Sequence, residues 1–168
     1  MNGMVSVNLR SFKQKVRNNK RSFRRFLTRL EKNTSGRIEK ITAKLEEEVW
    51  KETDCLSCAN CCKTMTPTYT SKDIRRISAH LGMTVNTFKD KWLRKERNSG
   101  DWLNKSTPCQ FLDLKNNKCN IYEVRPADCS GFPHLPKKMK DYVHVHKQNV
   151  EYCPATYRLV EKMMESLT

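Results

Sequence analysis

Apolar residues recur at alternating steps of three and four positions along the first fifty residues. The first stripe consists of Leu9, Phe12, Val16, Phe23, Phe26, Leu27 and Leu30, and the second of Ile38, Ile41, Leu45 and Val49. This spacing is typical of amphipathic helices. Turn residues at 33–36 separate the stripes, and Ser35 or Thr34 is suited to cap the second helix. The pattern predicts a helical hairpin over residues 1–50.

Shorter helices are predicted farther along the chain. Thr70 and Asp73 have the spacing of a capping box, and the helix that they begin ends at Gly82. The next helix begins at Thr84 or Asn86. The apolar faces of the two consist of Ile74, Ile77 and Leu81, and of Phe88, Trp92 and Leu93. A last amphipathic helix is predicted over residues 156–167, whereas glycine and proline interrupt residues 98–136 too often for long regular elements.

Charge is concentrated near the N-terminal end. The formal net charge is +15, and residues 1–33 contain ten lysines and arginines against one acid, Glu31. The basic segment 9–32 has three interpretations: contact with nucleic-acid phosphates, adhesion to an anionic membrane surface, or the solvated face of a helix that docks on the domain. Docking is the ordinary role of such a face, and Phe12, Phe23 and Phe26 are better explained by packing than by base stacking.

The sequence also excludes some classes of protein. No window approaches 18 continuous apolar residues, so we expect no transmembrane helix. The first ten residues are followed by charged and polar side chains instead of the apolar stretch of a signal peptide, which makes the cytoplasm the expected location. The five glycines are too far apart for a phosphate-binding loop. No nucleophile elbow, metalloprotease helix or kinase motif occurs.

Eight cysteines provide the clearest chemical signal. Four occur in the run Cys55-Leu-Ser-Cys58-Ala-Asn-Cys61-Cys62, and the others are Cys109, Cys119, Cys129 and Cys153. Clustered thiols in a reducing compartment are more often metal ligands than disulfides. Two-residue gaps let successive thiolates converge on one centre. The run therefore indicates zinc or iron, including a [4Fe-4S] cluster, and its spacing does not decide between them.

The eight cysteines would suffice for two tetrathiolate sites. Because the side chains of neighbouring residues diverge, Cys61 and Cys62 are suited to different centres, or one of them is a free thiol; the division stays open. A tetrathiolate around a divalent ion is net negative, and Lys63, Lys118 and Arg125 lie next to cysteines. Arg125 either offsets this charge or caps a turn at the surface.

Histidines and acids give weaker signals. His144 and His146 lie two positions apart, which in an extended segment would place both imidazoles on one side, and His134 precedes them. With eight thiols available, we expect these histidines at the surface instead of on a metal. Asp113 and Asp128 have no recognisable catalytic partner and are expected to be turn or hydrogen-bonding residues.

The order of the motifs resembles a known family. The cysteine run, the helix from Thr70 to Gly82, Pro108-Cys109-Gln-Phe-Leu and Cys119-Asn-Ile-Tyr-Glu-Val-Arg-Pro-Ala-Asp-Cys129-Ser-Gly-Phe-Pro133 are similar to those of the YkgJ-like cysteine-cluster family. The resemblance covers residues 55–153 and leaves the basic N-terminal segment unmatched. It implies a zinc- or iron-chelating domain in which all eight cysteines are candidate ligands. Similar clusters occur in proteins linked to flagellin lysine methylation, and the resemblance implies no settled reaction.

The whole sequence predicts a mainly α fold. A small helical domain with long irregular cysteine-rich loops held by metal is expected at residues 51–168, preceded by the basic helical hairpin at residues 1–50. The favoured function is binding of zinc or an iron–sulfur cluster in a structural or redox accessory role, together with an unidentified protein partner. The alternatives are an iron–sulfur-dependent protein-modifying enzyme or subunit, as in lysine methylation, and a nucleic-acid-associated protein that uses residues 9–32.

Overall fold

A computed structural model describes residues 7–33 and 35–167. Its helices are α1 (Leu9–Lys32), α2 (Gly36–Glu52), α3 (Cys55–Cys58), α4 (Asn60–Thr64), α5 (Ser71–His80), α6 (Val85–Trp92), α7 (Ala127–Gly131), α8 (Met139–Asn149) and α9 (Pro154–Leu167), with a 3-10 turn at Tyr122–Val124. Its strands are β1 (Thr68–Tyr69), β2 (Leu93–Lys95), β3 (Trp102–Asn104), β4 (Leu112–Asp113) and β5 (Lys118–Cys119). The fold is mainly α, which confirms the predicted class. Within the described residues, no helix is both long and apolar enough to cross a lipid bilayer.

The chain folds as two units. Unit 1 combines the described residues up to Cys58 with those from Pro133 onward, and unit 2 runs from Ala59 to Phe132. Unit 1 is therefore assembled from two separate stretches of chain and unit 2 from one. The cysteines of unit 1 are Cys55, Cys58 and Cys153, and those of unit 2 are Cys61, Cys62, Cys109, Cys119 and Cys129. The domain boundary expected between residues 50 and 51 stays a prediction.

The first two helices of unit 1, α1 and α2, form where the apolar stripes predict them. The Asn8 side chain accepts a hydrogen bond from the N–H of Ser11 at the start of α1, and Ser35 Oγ accepts one from the N–H of Ile38 at the start of α2. The other candidate cap, Thr34, lies outside the described residues. Helix α1 packs mainly on α8, and α2 packs mainly on α9. The hairpin helices are thus held by the C-terminal helices more than by each other.

Polar contacts complete the packing of unit 1. The Glu39 carboxylate on α2 accepts hydrogen bonds from the N–H groups of Met139 (2.8 Å) and Lys140 (3.0 Å) at the start of α8. This satisfies donors that a helix N-terminus leaves free and places negative charge at its positive end. Asn19, the polar position in the α1 stripe, donates to the Tyr157 hydroxyl at 2.7 Å. These contacts fix the order of α1, α2, α8 and α9 around one apolar core.

Unit 2 is built on two short helices and two small sheets. Thr70 and Asp73 form the predicted capping box of α5, and Gly82, with φ of 64°, follows its end. Thr84 caps α6, and Leu93 begins β2 instead of continuing the helix. The strands form an antiparallel sheet in the order β1-β3-β2 and a β4-β5 hairpin. The apolar core of the unit consists of Tyr69, Ile74, Ile77, Phe88, Leu93, Phe111 and Ile121, with Cys109 and Cys119 packed against it.

Candidate metal centre

Unit 2 gathers four thiols from separate segments. We call Cys62 on α4, Cys109 before β4, Cys119 on β5 and Cys129 on α7 the thiol cluster. Burial raises the pKa values of Cys109, Cys119 and Cys129. Repulsion between thiolates raises these pKa values further. The charge of Cys62 affects the other three cysteines, that of Cys119 affects Cys109, and those of Cys109 and Cys119 affect Cys129. Ionising all four without a cation would therefore be costly.

The sulfur atoms are near enough for their charges to interact, but they are not close enough together to bind one ion. Among the described residues, no three side chains of cysteine, histidine, aspartate or glutamate converge closely enough to hold an ion. The structure does bring four cysteines into one unit, and four cysteines are the usual ligands of a closed structural zinc site.

Backbone hydrogen bonds connect the segments of the thiol cluster. The N–H of Cys109 donates to the carbonyl of Cys62 at 2.8 Å, and Leu112 pairs with Cys119 in the β4-β5 hairpin. The backbone N–H of Phe111 donates to the Cys109 sulfur, and that of Ile121 donates to the Cys119 sulfur, which partly offsets the effect of burial on both pKa values. The same arrangement, an amide two positions after the cysteine, thus favours the thiolate form of both Cys109 and Cys119.

Cys62 is the member of the cluster most readily ionised. Its pKa is lowered to about 7, chiefly by a hydrogen bond from the neighbouring Cys61, whose sulfur lies 3.9 Å away. Burial opposes this shift, while its own backbone N–H and the charge of Lys63 support it. The divergence expected for Cys61 and Cys62 is therefore limited, because their sulfurs remain in contact.

A buried asparagine faces the cluster. Asn104 on β3 is 2% exposed, and its Oδ1 accepts hydrogen bonds from the Tyr69 hydroxyl at 2.6 Å and Gln110 Nε2 at 2.9 Å. Its Nδ2 makes no hydrogen bond of normal geometry with another described residue, yet it lies near enough to the Cys109 sulfur to lower the pKa of that thiol. A buried amide donor without a full partner suits a site that holds negative sulfur.

Two carboxylates hold the segment that carries Cys129. Asp73 on α5 accepts hydrogen bonds from the N–H of Ala127 at 3.1 Å and from Arg76 Nη2 at 2.7 Å. Arg76 also donates to the carbonyl of Arg125 at 2.8 Å, and Asp128 accepts from the N–H of Thr68 at 3.0 Å. Three residues that precede Cys129 in sequence are thus tied to α5 and β1, which fixes the entry to α7.

Cations beside the cysteines have the roles that sequence allowed. Lys63 lowers the pKa of Cys62. Burial raises the pKa of Cys119, and the charge of Arg125 lowers it. Arg125 also donates a hydrogen bond to the Tyr122 carbonyl at 2.7 Å, and its guanidinium group lies over the Tyr122 ring. Arg125 therefore both offsets charge and caps a turn, where the sequence left a choice between the two.

The acids near the cysteines are hydrogen-bonding residues, as predicted. Asp113 accepts from the N–H of Lys115 and from the Asn116 side chain, both at 2.8 Å, and so shapes the turn between β4 and β5. Asp128 accepts from Thr68.

Unit 1 holds a second set of thiols. Cys58 and Cys153 are each 6% exposed, and Cys55 on α3 is exposed. Burial raises the pKa of Cys153, and repulsion from Cys58 raises it further. The backbone N–H groups of Thr156 and Ala155, at the start of α9, lower this pKa and so partly offset the effect of burial. Cys58 and Cys153 are therefore neighbours within this unit.

The histidine interpretation is wrong in two respects. Residues 139–149 are helical, so His144 and His146 point in different directions instead of sharing one side of an extended segment. His146 is fully buried, not at the surface, and neither ring nitrogen has a hydrogen-bond partner among the described residues. Burial lowers its pKa to about 4, and the charges of His134 and His144 add to the shift.

The comparison with protein families points to metal chelation. Residues 54–154 match the CxxCxxCC family, described as a "Putative zinc- or iron-chelating domain". The chain belongs to this family. The matched segment contains all eight cysteines, as the resemblance implied.

Among curated proteins, an uncharacterized protein of Methanocaldococcus jannaschii, MJ0661, is 34% identical over 73 residues, which is 43% of this chain and 39% of that protein. The chain thus matches about two fifths of this relative's length. No solved structure matches the chain.

Sequence reasoning missed the residues that support the thiol cluster. Asn104 and Tyr69 lie on separate short strands, and no alternation of apolar residues predicts these strands. Gln110 follows Cys109 directly, and only the cysteine of this pair was predicted to have a role. Asp73 was identified only as a helix cap. Its second role, at Ala127, depends on a contact between residues 54 positions apart.

Proposed function

We propose that the protein binds a structural zinc ion through the thiol cluster of unit 2. The observation that carries this proposal is that four separate segments place Cys62, Cys109, Cys119 and Cys129 in one unit, near enough that their thiolates would repel one another. A divalent ion at that position supplies the positive charge that four thiolates require. The protein's own contribution is to hold each sulfur in place and to direct amide donors toward it.

The arrangement of ligands favours zinc over an iron–sulfur cluster. Iron–sulfur loops of the C-x-x-C-x-x-C type wrap several consecutive cysteines around one cluster. Here Cys55 and Cys58 belong to unit 1, whereas Cys61 and Cys62 belong to unit 2. The thiol cluster draws only Cys62 from the run and takes its other members from residues 109–129, a dispersed pattern that is common in structural zinc sites.

The remaining cysteines are assigned by the same reasoning. Cys55, Cys58 and Cys153 form the thiol set of unit 1 and are proposed as ligands of a second ion. Cys61, whose sulfur lies 3.9 Å from that of Cys62, is assigned the role of lowering the pKa of Cys62 and is not proposed as a ligand. Because the proposal requires reduced thiols, a reducing compartment such as the cytoplasm is the location that we propose.

Metal analysis of protein purified without oxygen tests the assignment. We expect zinc, no acid-labile sulfide and no colour. Cys129→Ser and Cys109→Ser should each lose about one equivalent of zinc per chain, because a tetrahedral site tolerates no missing thiolate. Cys61→Ser is the matched control: the serine hydroxyl can still donate a hydrogen bond to Cys62 but cannot replace a zinc thiolate, so this variant should keep the full metal content.

Two results would overturn the proposal. Iron with acid-labile sulfide in equal amounts would identify a cluster instead of zinc. Unchanged zinc content in Cys129→Ser and Cys109→Ser would show that the thiol cluster is not the site.

A further inference from the structure

The exposed side of α1 carries an unusual density of positive charge. All ten lysines and arginines of the helix are exposed: Arg10, Lys13, Lys15, Arg17, Lys20, Arg21, Arg24, Arg25, Arg29 and Lys32. We call these residues the α1 cation face. Lys20 pairs with Glu151 at 2.8 Å, and no other member makes a side-chain hydrogen bond or ion pair with a described residue. The one acid of the helix, Glu31, is bound by Lys147 at 2.6 Å.

The opposite side of α1 is already occupied. Phe12, Phe23, Phe26, Leu27 and Leu30 are at most 6% exposed within unit 1. The rings of Phe12 and Phe23 contact the Tyr157 ring, with centroids 5.8 Å and 4.7 Å apart. A helix that lies on a membrane inserts its apolar face among the lipids, and here that face is committed to the protein core. The cation face must therefore act by charge alone.

The dimensions of the face suit a phosphate polymer. The helix has 24 residues, which at 1.5 Å per residue gives a length of about 36 Å. Successive cations lie at most four residues apart in sequence, so they are distributed along this whole length. Duplex nucleic acid carries about one charge per 1.7 Å of its axis, which is dense enough to engage several of these cations together. Six of the ten are arginines, whose guanidinium groups bind phosphate oxygens in pairs.

We propose that the α1 cation face binds the phosphate backbone of nucleic acid without reading its sequence. The aromatic residues of α1 are buried, so the face offers no ring on which a base could stack. Contacts between the lysines and arginines of the face and phosphate oxygens carry no sequence information. The proposal is independent of the metal site, because every residue that it uses lies on α1.

Binding of the full-length protein to labelled duplexes of about 20 base pairs, in DNA and RNA form, tests this surface. Fluorescence anisotropy is followed as salt rises from about 50 to 200 mM. We expect binding that weakens steeply with salt and is the same for unrelated sequences. The variant R17Q/R21Q/R24Q should bind at least about tenfold more weakly at the lower salt, and its slope of log affinity against log salt should shrink by about 3, one per lost phosphate contact.

The matched control removes the same charge elsewhere. Lys72, Arg75 and Arg97 are exposed residues of unit 2, and K72Q/R75Q/R97Q should change the affinity less than about threefold. Circular dichroism checks the helicity of each variant, and the independent set R21Q/R25Q/K32Q must reproduce the loss.

The proposal is overturned if the wild-type protein does not bind at low salt, or if the control weakens binding as much as the α1 variant. It is also overturned if the protein binds phosphatidylserine vesicles, but not nucleic acid, through the same arginines. That outcome would identify a membrane surface as the partner.

Discussion

The Tyr69 hydroxyl donates a 2.6 Å hydrogen bond to Asn104 Oδ1, and this bond sets the direction of the Asn104 amide. With Gln110 donating to the same oxygen, Nδ2 has no freedom to exchange places with it. The pKa of Tyr69 is raised by burial and by repulsion from Cys109, Cys129 and Cys119, so the phenol keeps its proton and remains a donor. A fixed phenol thus orients an amide toward sulfur.

Asn104→Asp should weaken metal binding. Aspartate keeps the oxygen that Tyr69 and Gln110 need but replaces the N–H donor with negative charge beside Cys109. Loss of a supporting hydrogen bond of this kind lowers metal affinity about 10- to 100-fold. Competition with a zinc chelator measures the change, and Asn98→Asp, at an exposed position, is the control that should bind normally. Equal affinities for the two variants would contradict the role given to Asn104.

Asp73→Asn should destabilise unit 2. The Asp73 side chain is 1% exposed and accepts from Thr70, Arg76 and the N–H of Ala127. Hydrogen bonds to a charged group contribute about 1.5–3 kcal/mol each, and asparagine keeps only some of them, so we expect a loss of about 2–3 kcal/mol in the free energy of unfolding. Denaturant unfolding measures it. The exposed Asp101→Asn should lie within about 0.5 kcal/mol of wild type.

Asp73 also predicts an acid limit. Burial alone would raise its pKa, but the hydrogen bonds from Thr70, Arg76 and Ala127 outweigh burial and hold the pKa below its ordinary value of 3.8. A carboxyl with a lowered pKa stabilises the fold above its unfolded value, and this contribution is lost as pH falls through the folded value. Asp73→Asn should therefore differ most from wild type above pH 4 and approach it at lower pH.

His146 predicts a separate loss of stability between pH 6.5 and about 4. Burial lowers its pKa in the folded protein to about 4, from an ordinary value of 6.5. Below pH 6.5 the unfolded chain binds a proton that the folded chain refuses, so stability falls by up to about 3 kcal/mol at 1.36 kcal/mol per pKa unit. His146→Leu should reduce this fall, whereas the exposed His80→Leu should not. If the two variants respond to pH alike, His146 is not the group responsible.

Metal removal should act on the two units differently. Without an ion, the thiols of the cluster take up protons and no metal bond joins residues 109–129, so the amide exchange of this segment should rise sharply after chelation. The interior of α1 and α2 rests on apolar packing and should keep its protection. Hydrogen exchange with mass spectrometry distinguishes the segments. Uniform loss of protection, or none in residues 109–129, would contradict the zinc assignment.

Helices α1, α2 and α9 were predicted from the sequence because their apolar spacing is local, whereas α8 was not predicted. Ser35, Thr70 and Thr84 occupy the cap positions that were candidates. The error at His144 and His146 has the same local origin, since two residues at this spacing do not reveal whether the backbone is extended or helical.

The site depends on contacts that sequence spacing does not encode. Cys58 and Cys61 are three positions apart and belong to different units, while Cys62 and Cys129 belong to the same cluster. Asn104 has no local signal, because its role arises from the pairing of β3 with β1. Residue chemistry therefore predicts the donor atoms, and only the tertiary fold divides them into sets.

The division of unit 1 into two stretches of chain affects its synthesis on the ribosome. Glu39 can accept its hydrogen bonds only after Met139 and Lys140 have been translated, about 100 residues later. Helix α2 packs on α9, the last helix described. Unit 2 has all its residues available once Phe132 has emerged. We therefore expect the nascent chain to complete unit 2 and acquire its metal while the N-terminal helices still expose their apolar stripes. During that interval, α1 and α2 are the segments that need protection by a chaperone.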